Sequence, residues 1–326
     1  MIVRLLALLL APLVVAAPLA GQLRLDPISG DYSVTIRNDQ GQLVELRVVP
    51  PNKVRVSVNA RIEPGAGTLL RYVYAVSVDA SSPQPLRFFR FPCGASGAFQ
   101  DFRAVVTVRG VTSPWRAMHT EWMAELTCSF EGGAGSLEQG GVLQGSFETT
   151  TLPGLGEVRA FGRTPGVAWP TSDPIPENEE ARRLVASISG LTGGWKSLRA
   201  VVPQRQPSQF ADPAHGLLLV QSDLSEVCGT LGWITNAGVC HSLAEKLDHA
   251  AHALARGKPD DAKRRLKSFL HELAAQHRAK AEEQEEEHED RDHEGEAEPE
   301  RERGKHVTDN AFWLLKINAE FILARL

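Results

Sequence analysis

The sequence predicts a multi-domain chain, β then α: an antiparallel β-sandwich followed by linker helices and a C-terminal three-helix bundle. Three observations predict it. From Tyr32 to about Arg163 apolar residues recur with a period of two, and residues 164–176 carry four prolines in thirteen positions. From Asn236 onward, three segments repeat apolar residues with the helical period. At 326 residues, 42% apolar and 23% charged, the chain has ordinary globular composition, which excludes a mostly disordered, collagen-like or polytopic membrane protein.

The first twenty residues read as a signal peptide, with Arg4 as the positive end, Leu5 to Val15 as the apolar stretch, and Ala16, Ala17 and Ala20 as the small residues of a cleavage zone. Leu19-Ala20-Gly21 is followed by Gln22 where a lipoprotein would need cysteine. The apolar run is short of the ~20 residues of a spanning helix. His306 to Leu326 is also apolar, but Lys316, Asn318, Glu320 and Arg325 interrupt it, so no stable membrane insertion is expected there. The mature protein is expected to be exported and soluble, in the periplasm, at the cell surface or outside the cell. Four cysteines suit that compartment and allow three connectivities. The expected pairing is local, Cys93 with Cys128 and Cys228 with Cys240; the second closes a loop of about a dozen residues, worth roughly 3 kcal/mol of chain entropy.

The sandwich is assigned to residues 21–163. Its clearest strand places Val54, Val56, Val58, Ala60 and Ile62 on one face and Arg55, Ser57, Asn59 and Arg61 on the other. Similar runs occupy Leu70 to Val78, Leu86 to Phe91, Phe102 to Val108, Trp122 to Phe130, Val142 to Thr149 and Val158 to Phe161. Turn signals separate them, among them Pro64-Gly65-Ala66-Gly67, Gly132-Gly133 and Leu152-Pro153-Gly154. Eight or nine strands result. Residues 164–235 follow as a linker: the proline-rich stretch, a helix over Glu177 to Ser189, irregular chain over 190–212, and a short helix over Ala214 to Val227.

Residues 236–326 form the bundle. At 100° per residue, Val239, Leu243, Leu247, Ala250 and Leu254 fall within an arc of about 80°. Gly257 ends that helix and Pro259 opens the next, which buries Ala262, Leu266, Phe269, Leu270, Leu273 and His277. The third starts at Thr308, a good N-cap, and carries Ala311, Leu314, Leu315, Asn318, Phe321 and Ile322 on one face. Asn318 within that face is read as a buried hydrogen-bonding residue. The segments Gly238-Val239-Cys240-His241-Ser242-Leu243-Ala244-Glu245-Lys246-Leu247, Ala262 to Leu273, and Asn318-Ala319-Glu320-Phe321-Ile322-Leu323 together resemble the FIMAH-type module. That module is a small helical bundle at the C-termini of many secreted bacterial proteins, including some hydrolases. The resemblance implies an accessory role and no catalytic residues. Residues 72–85 are weakly similar to β-domains of uncharacterised exported bacterial proteins, which implies no activity.

The search for chemistry yields no catalytic and no cofactor-binding residues. Gly94-Ala95-Ser96-Gly97-Ala98 lacks the spacing of a nucleophile elbow, Gly65-Ala66-Gly67 lacks the third glycine of a dinucleotide loop, and His277 is misplaced after His271-Glu272 for a zinc-protease helix. The best metal constellation is His241, Glu245, Asp248 and His252, four ligand types within about 60° of one helix, with His249 beside them. The same stripe also lies where a bundle helix is ordinarily polar. Glu121 and Glu125 flank Trp122 on one expected strand, an arrangement that outward-facing residues explain without a glycosidase cleft. The sandwich holds fourteen Lys/Arg against thirteen Asp/Glu over 21–167, too little excess for nucleic acid.

The expected function is therefore a non-catalytic exported protein with binding or structural modules for a surface or extracellular ligand, glycan or protein. The alternative is a secreted, carbohydrate-active hydrolase with the bundle as accessory. Charge is concentrated in one place. Residues 282–302 hold thirteen Asp/Glu against two Arg, a balance of −11 within a chain whose total is −5. This acidic insertion reads as a solvated linker, with weak binding of divalent cations and docking on a basic partner as its other readings. Because closure entropy varies slowly with loop length, excising 282–302 is expected to leave the melting temperature nearly unchanged in a thermal unfolding scan.

Overall fold

A computed structural model describes residues 23–37, 40–48, 50–93, 100–108, 111–122, 125–131, 136–163, 179, 183, 194–278 and 306–326. The expected signal peptide, the proline-rich stretch 164–176 and the acidic insertion 282–302 lie outside the described residues. So does the helix expected over 177–189, except for Glu179 and Arg183, which are helical and ion-paired at 2.5 Å. Among the described residues no helix is long and apolar enough to cross a membrane.

The chain divides into two compact units, residues 1–51 with 164–194, and residues 52–163 with 195–326. The first contains a three-stranded antiparallel sheet, β1 (Leu23–Leu25), β2 (Tyr32–Arg37) and β3 (Leu43–Val48), in the order β1-β2-β3. Val34 and Ile36 are its buried residues, and Arg47 Nε donates to buried Asp31 at 2.6 Å. The sequence assigns these strands to the sandwich; they form their own sheet instead. Alternation reports that a segment is extended, whereas pairing decides which sheet it joins.

The second unit holds a sandwich of two five-stranded antiparallel sheets and four helices. One sheet runs β4 (Val56–Pro64), β5 (Leu70–Val78), β11 (Val142–Thr149), β7 (Gln100–Val108), β8 (Val111–Pro114). The other runs β13 (Lys196–Arg205), β12 (Leu152–Gly162), β6 (Leu86–Pro92), β10 (Glu125–Glu131), β9 (Arg116–Trp122). Aromatic rings fill the space between them. Tyr74 of β5 meets Phe91 of β6 at 4.8 Å between centroids, and Phe102 of β7 meets Phe130 of β10 at 5.1 Å. Gly145 on β11 is required by this packing, since a Cβ there would lie 2.0 Å from the Phe130 ring. The Tyr74 hydroxyl crosses the core to donate to the Val201 carbonyl of β13 at 2.9 Å. A disulfide joins Cys93 to Cys128 beside the β6–β10 pairing.

Four features differ from the sequence reading. Residues 196–205, expected as irregular linker, are β13, paired antiparallel with β12. Ala200, Val201, Val202 and Pro203 are all buried, so the two-residue alternation that marks a half-exposed strand is missing. The turn expected at Leu152-Pro153-Gly154 is the start of β12, and the register shift between Leu152 and Pro153 accommodates the proline. The run from Trp122 to Phe130 is not one strand but the junction of β9 and β10, with Glu125 paired to Trp122 and Leu126 to Glu121. Finally, the three-helix bundle is a set of four helices in contact.

These helices are α1 (Pro213–Cys228), α2 (Ala237–Ala255), α3 (Pro259–Arg278) and α4 (Asp309–Leu323). Capping fixes their ends, and at Thr308 the cap is the one the sequence names. Asp212 accepts from Ala214 N at 3.0 Å, Asn236 accepts from Gly238 N at 2.9 Å, and Thr308 accepts from Ala311 N at 3.4 Å. Gly257, at φ 67°, closes α2 with two bonds, Gly257 N to Leu254 O and Lys258 N to Ala253 O, both 2.9 Å. The fourth member is α1, expected as a linker helix. It buries Leu217, Val220, Leu224 and Val227, is joined to α2 by the Cys228–Cys240 disulfide, and packs on α2 and α4. It also faces β13: Arg205 Nη2 bonds Asp223 Oδ1 at 2.5 Å, with the two side chains 13% and 4% exposed. Burial raises the Asp223 carboxyl above its ordinary value, while Arg205 pulls it the other way.

Helix α4 lies against β4, β12 and β13. The Asn310 side chain donates through Nδ2 to Val58 O at 2.9 Å and accepts through Oδ1 from Ala60 N at 2.7 Å, so one amide occupies the outer edge of β4 as a neighbouring strand would. Two turns on, Asn318 Nδ2 donates to Pro153 O of β12 at 3.0 Å, which makes it the buried hydrogen-bonding residue expected. Removing Asn310 leaves a buried N–H and a buried C=O unpaired. The variant Asn310→Ala is therefore expected to lose about 2 to 3 kcal/mol in denaturant unfolding.

Candidate functional site

Helices α2 and α3 run antiparallel from the Gly257 turn, and their mutual position is set by apolar and polar contacts. Leu243, Leu247 and Ala250 of α2 and Leu266, Phe269 and Leu273 of α3 are buried. Beside them Lys246 bonds Ser242 Oγ at 2.8 Å and forms an ion pair with Glu272, while Ser242 donates to Glu272 at 3.0 Å. This half-buried trio fixes the two helices against sliding at one end, and the tight turn fixes them at the other.

Between them, near the turn, lies a cleft of about 760 Å³. Helix α2 and its C-cap contribute His249, His252, Ala253 and Arg256; α3 contributes Asp261, Arg264, Arg265 and Ser268. Three arginines and one acidic residue thus line the cleft. That carboxylate, Asp261, is already ion-paired with Arg264. Neither Arg256 nor Arg265 meets a carboxylate among the described residues. Among the described residues the one apolar lining residue is Ala253. Two imidazoles and a hydroxyl add donors that turn over to suit a polar ligand. The arrangement can bind an anion.

Helix α2 carries the four sequence-derived candidates, of which His252 lines the cleft and the other three do not. Its stripe of His241, Glu245, Asp248 and His252 does not converge. His241 Nε2 and Glu245 Oε1 stand 3.3 Å apart, 77% and 59% exposed. Asp248 is turned to Gln221 of α1, which donates to it at 2.7 Å, and His252 lines the cleft. Among the described residues no group of three or more His, Cys, Asp and Glu side chains is placed to hold a metal ion. Glu121 and Glu125, expected on one face of one strand, sit on different strands of the β9–β10 hairpin at neighbouring rungs, because the chain turns between them. Cysteines 93, 128, 228 and 240 are paired as expected.

An aromatic cluster also went unread in the sequence. Phe88 of β6 meets Phe161 of β12 at 5.9 Å and 64°, Phe161 meets Trp195 at 5.0 Å and 54°, and Arg90 Cζ lies 4.7 Å from the Trp195 ring centre. The rings are tilted against one another, so they pack as a small cluster and offer no flat platform. The cleft itself had one legible signal: Arg256 just before the Gly257 turn and Lys263-Arg264-Arg265 one helical turn beyond Pro259, a basic cluster on both sides of a hairpin. With its ligand types dispersed, the α2 stripe is expected to show no saturable zinc binding tighter than micromolar in a calorimetric titration.

The helical region also matches a known family. A family model described as the FIMAH domain covers residues 228–293. The span begins at Cys228, includes α2 and α3 entire, and ends within the acidic insertion, leaving α4 outside. No curated protein matches the chain. The cleft therefore lies wholly within the matched span, and the chain carries a FIMAH domain at residues 228–293.

Proposed function

We propose that this is a non-catalytic exported protein whose sandwich and helical domain serve as binding or structural modules at the cell surface or outside the cell. The observation that carries the reading is the α2–α3 cleft. Its polar groups are guanidinium, imidazole and hydroxyl, and its one carboxylate is engaged by Arg264. Such a lining supplies donors to hold a ligand, and among the described residues no hydrogen bond joins Ser268 to His249 or His252 as a nucleophile is joined to its base.

Two further features support export. The N-terminal twenty residues have the composition of a signal peptide, and both disulfides suit an oxidising compartment. In the second unit the helical domain is held to the sandwich by Asn310, Asn318 and the Arg205–Asp223 pair, so the sandwich acts as a rigid mount for the cleft.

Fractionation of cells that make the protein, followed by incubation of the purified mature chain with a panel of polysaccharides, tests the reading. The protein is expected in the envelope or medium fraction, with no new reducing ends released from any polysaccharide. Turnover of a polysaccharide would replace the reading with that of a secreted carbohydrate-active hydrolase, the helical domain then being its accessory.

A further inference from the structure

We propose that the α2–α3 cleft is a binding site for an anionic polysaccharide, with Arg256 and Arg265 as the residues that hold its acidic groups. The inference rests on the non-catalytic binding reading and names the ligand class.

Charge comes first. Arg256 and Arg265 have no carboxylate partner among the described residues, and Arg264 is paired with Asp261. A guanidinium presents a planar fork of donors that matches a carboxylate or sulfate bidentately. The cleft's extent comes second. On α2 the lining runs from His249 to Arg256 and on α3 from Asp261 to Ser268, in each case about 10 Å of helix at 1.5 Å per residue. A free phosphate or sulfate ion would touch one end of such a cleft. A chain bearing an acidic group on successive units would engage both arginines and leave its hydroxyls to His249, His252 and Ser268. The volume of about 760 Å³ lies within the range of pockets that hold small organic ligands, and suits a short oligosaccharide segment.

The lining also selects among polyanions. Among the described residues no phenylalanine, tyrosine or tryptophan lines the cleft, so they supply no stacking surface of the kind on which single-stranded nucleic acids ordinarily rest their bases. Among the described residues Ala253 is the one apolar side chain in the lining, which gives a lipid chain or an amphipathic helix little to bury against. What remains is a flexible, hydroxyl-rich chain with regularly spaced negative charge.

The test uses the full mature chain. Affinity electrophoresis or calorimetry is run with polygalacturonate as the carboxylate polymer, dextran sulfate as the sulfate polymer, and neutral dextran, poly-glutamate and a single-stranded oligonucleotide for comparison. One of the two acidic polysaccharides should bind saturably and in preference to the other three; which one it is identifies the acidic group. Arg256→Ala with Arg265→Ala should weaken that binding by about tenfold or more, as expected for loss of hydrogen bonds between charged partners. Arg61→Ala with Arg103→Ala removes the same charge from exposed positions on the sandwich and should leave affinity unchanged. A thermal scan of both double variants checks that each remains folded. The proposal is overturned if neither acidic polysaccharide binds, or if the two double variants weaken binding equally. It is overturned as well if poly-glutamate or the oligonucleotide binds as tightly as the better polysaccharide. Those failures leave the non-catalytic reading intact, whereas release of reducing ends from a polysaccharide would overturn that reading whatever the cleft binds.

Discussion

The edge of β4 is the constraint on which the second unit depends. An antiparallel strand at the end of a sheet exposes N–H and C=O groups that must be paired once they are buried, or left to recruit another strand. Here the Asn310 side chain supplies both an acceptor and a donor to residues 58–60. Because Asn310 lies in the first turn of α4, satisfying the strand also fixes where the helix begins. The Asn318 bond to β12 then sets its direction. Around α4 the other helices assemble, α1 and α3 directly and α2 through them and the Cys228–Cys240 disulfide.

The cleft inherits its shape from this arrangement. One side of the α2–α3 hairpin is committed to the apolar interior, and the Lys246–Glu272–Ser242 group fixes the spacing of the pair. With the apolar side occupied, the residues flanking Gly257 are left to the solvent face. Among the residues that line the cleft there, both helices contribute arginine and Asp261 is the one acid. The concentration of positive charge thus arises from two helices brought together at a turn, in a chain whose net charge is negative.

Much of the helical region is legible from residues alone. Asn236, Gly257 and Thr308 mark helix ends through local bonds that need no distant partner, Pro259 marks one by its fixed φ, and the amphipathic faces of α2 and α3 read largely as their buried sides. The failures share a cause. β13 is apolar on both faces, so it lacks the alternation that identifies a strand, and α1 belongs to the bundle only through contacts with α2, α4 and β13. Asn310, a polar residue near a helix start, carries no local sign that its partners are some 250 positions away. The α2 stripe illustrates the converse. Helical geometry aligns His241, Glu245, Asp248 and His252, but the side chains turn to different neighbours, among them Gln221 of another helix.

Properties set by neighbours along the chain are written in the residues: strand and helix identity over most segments, the Thr308 cap, the acidic concentration in 282–302, and the kind of helical domain that follows the sandwich. Cysteine spacing added an expectation of local pairing that the fold carries out. Folding in three dimensions sets which strands share a sheet, gathers β1–β3 into a sheet of their own, adds a fourth helix to the bundle, and brings Arg256 and Arg265 to one cleft. The physical reason is range. Capping and periodicity are satisfied within a few residues, whereas sheet pairing, edge protection and convergence of charge depend on groups that meet only after the chain has folded.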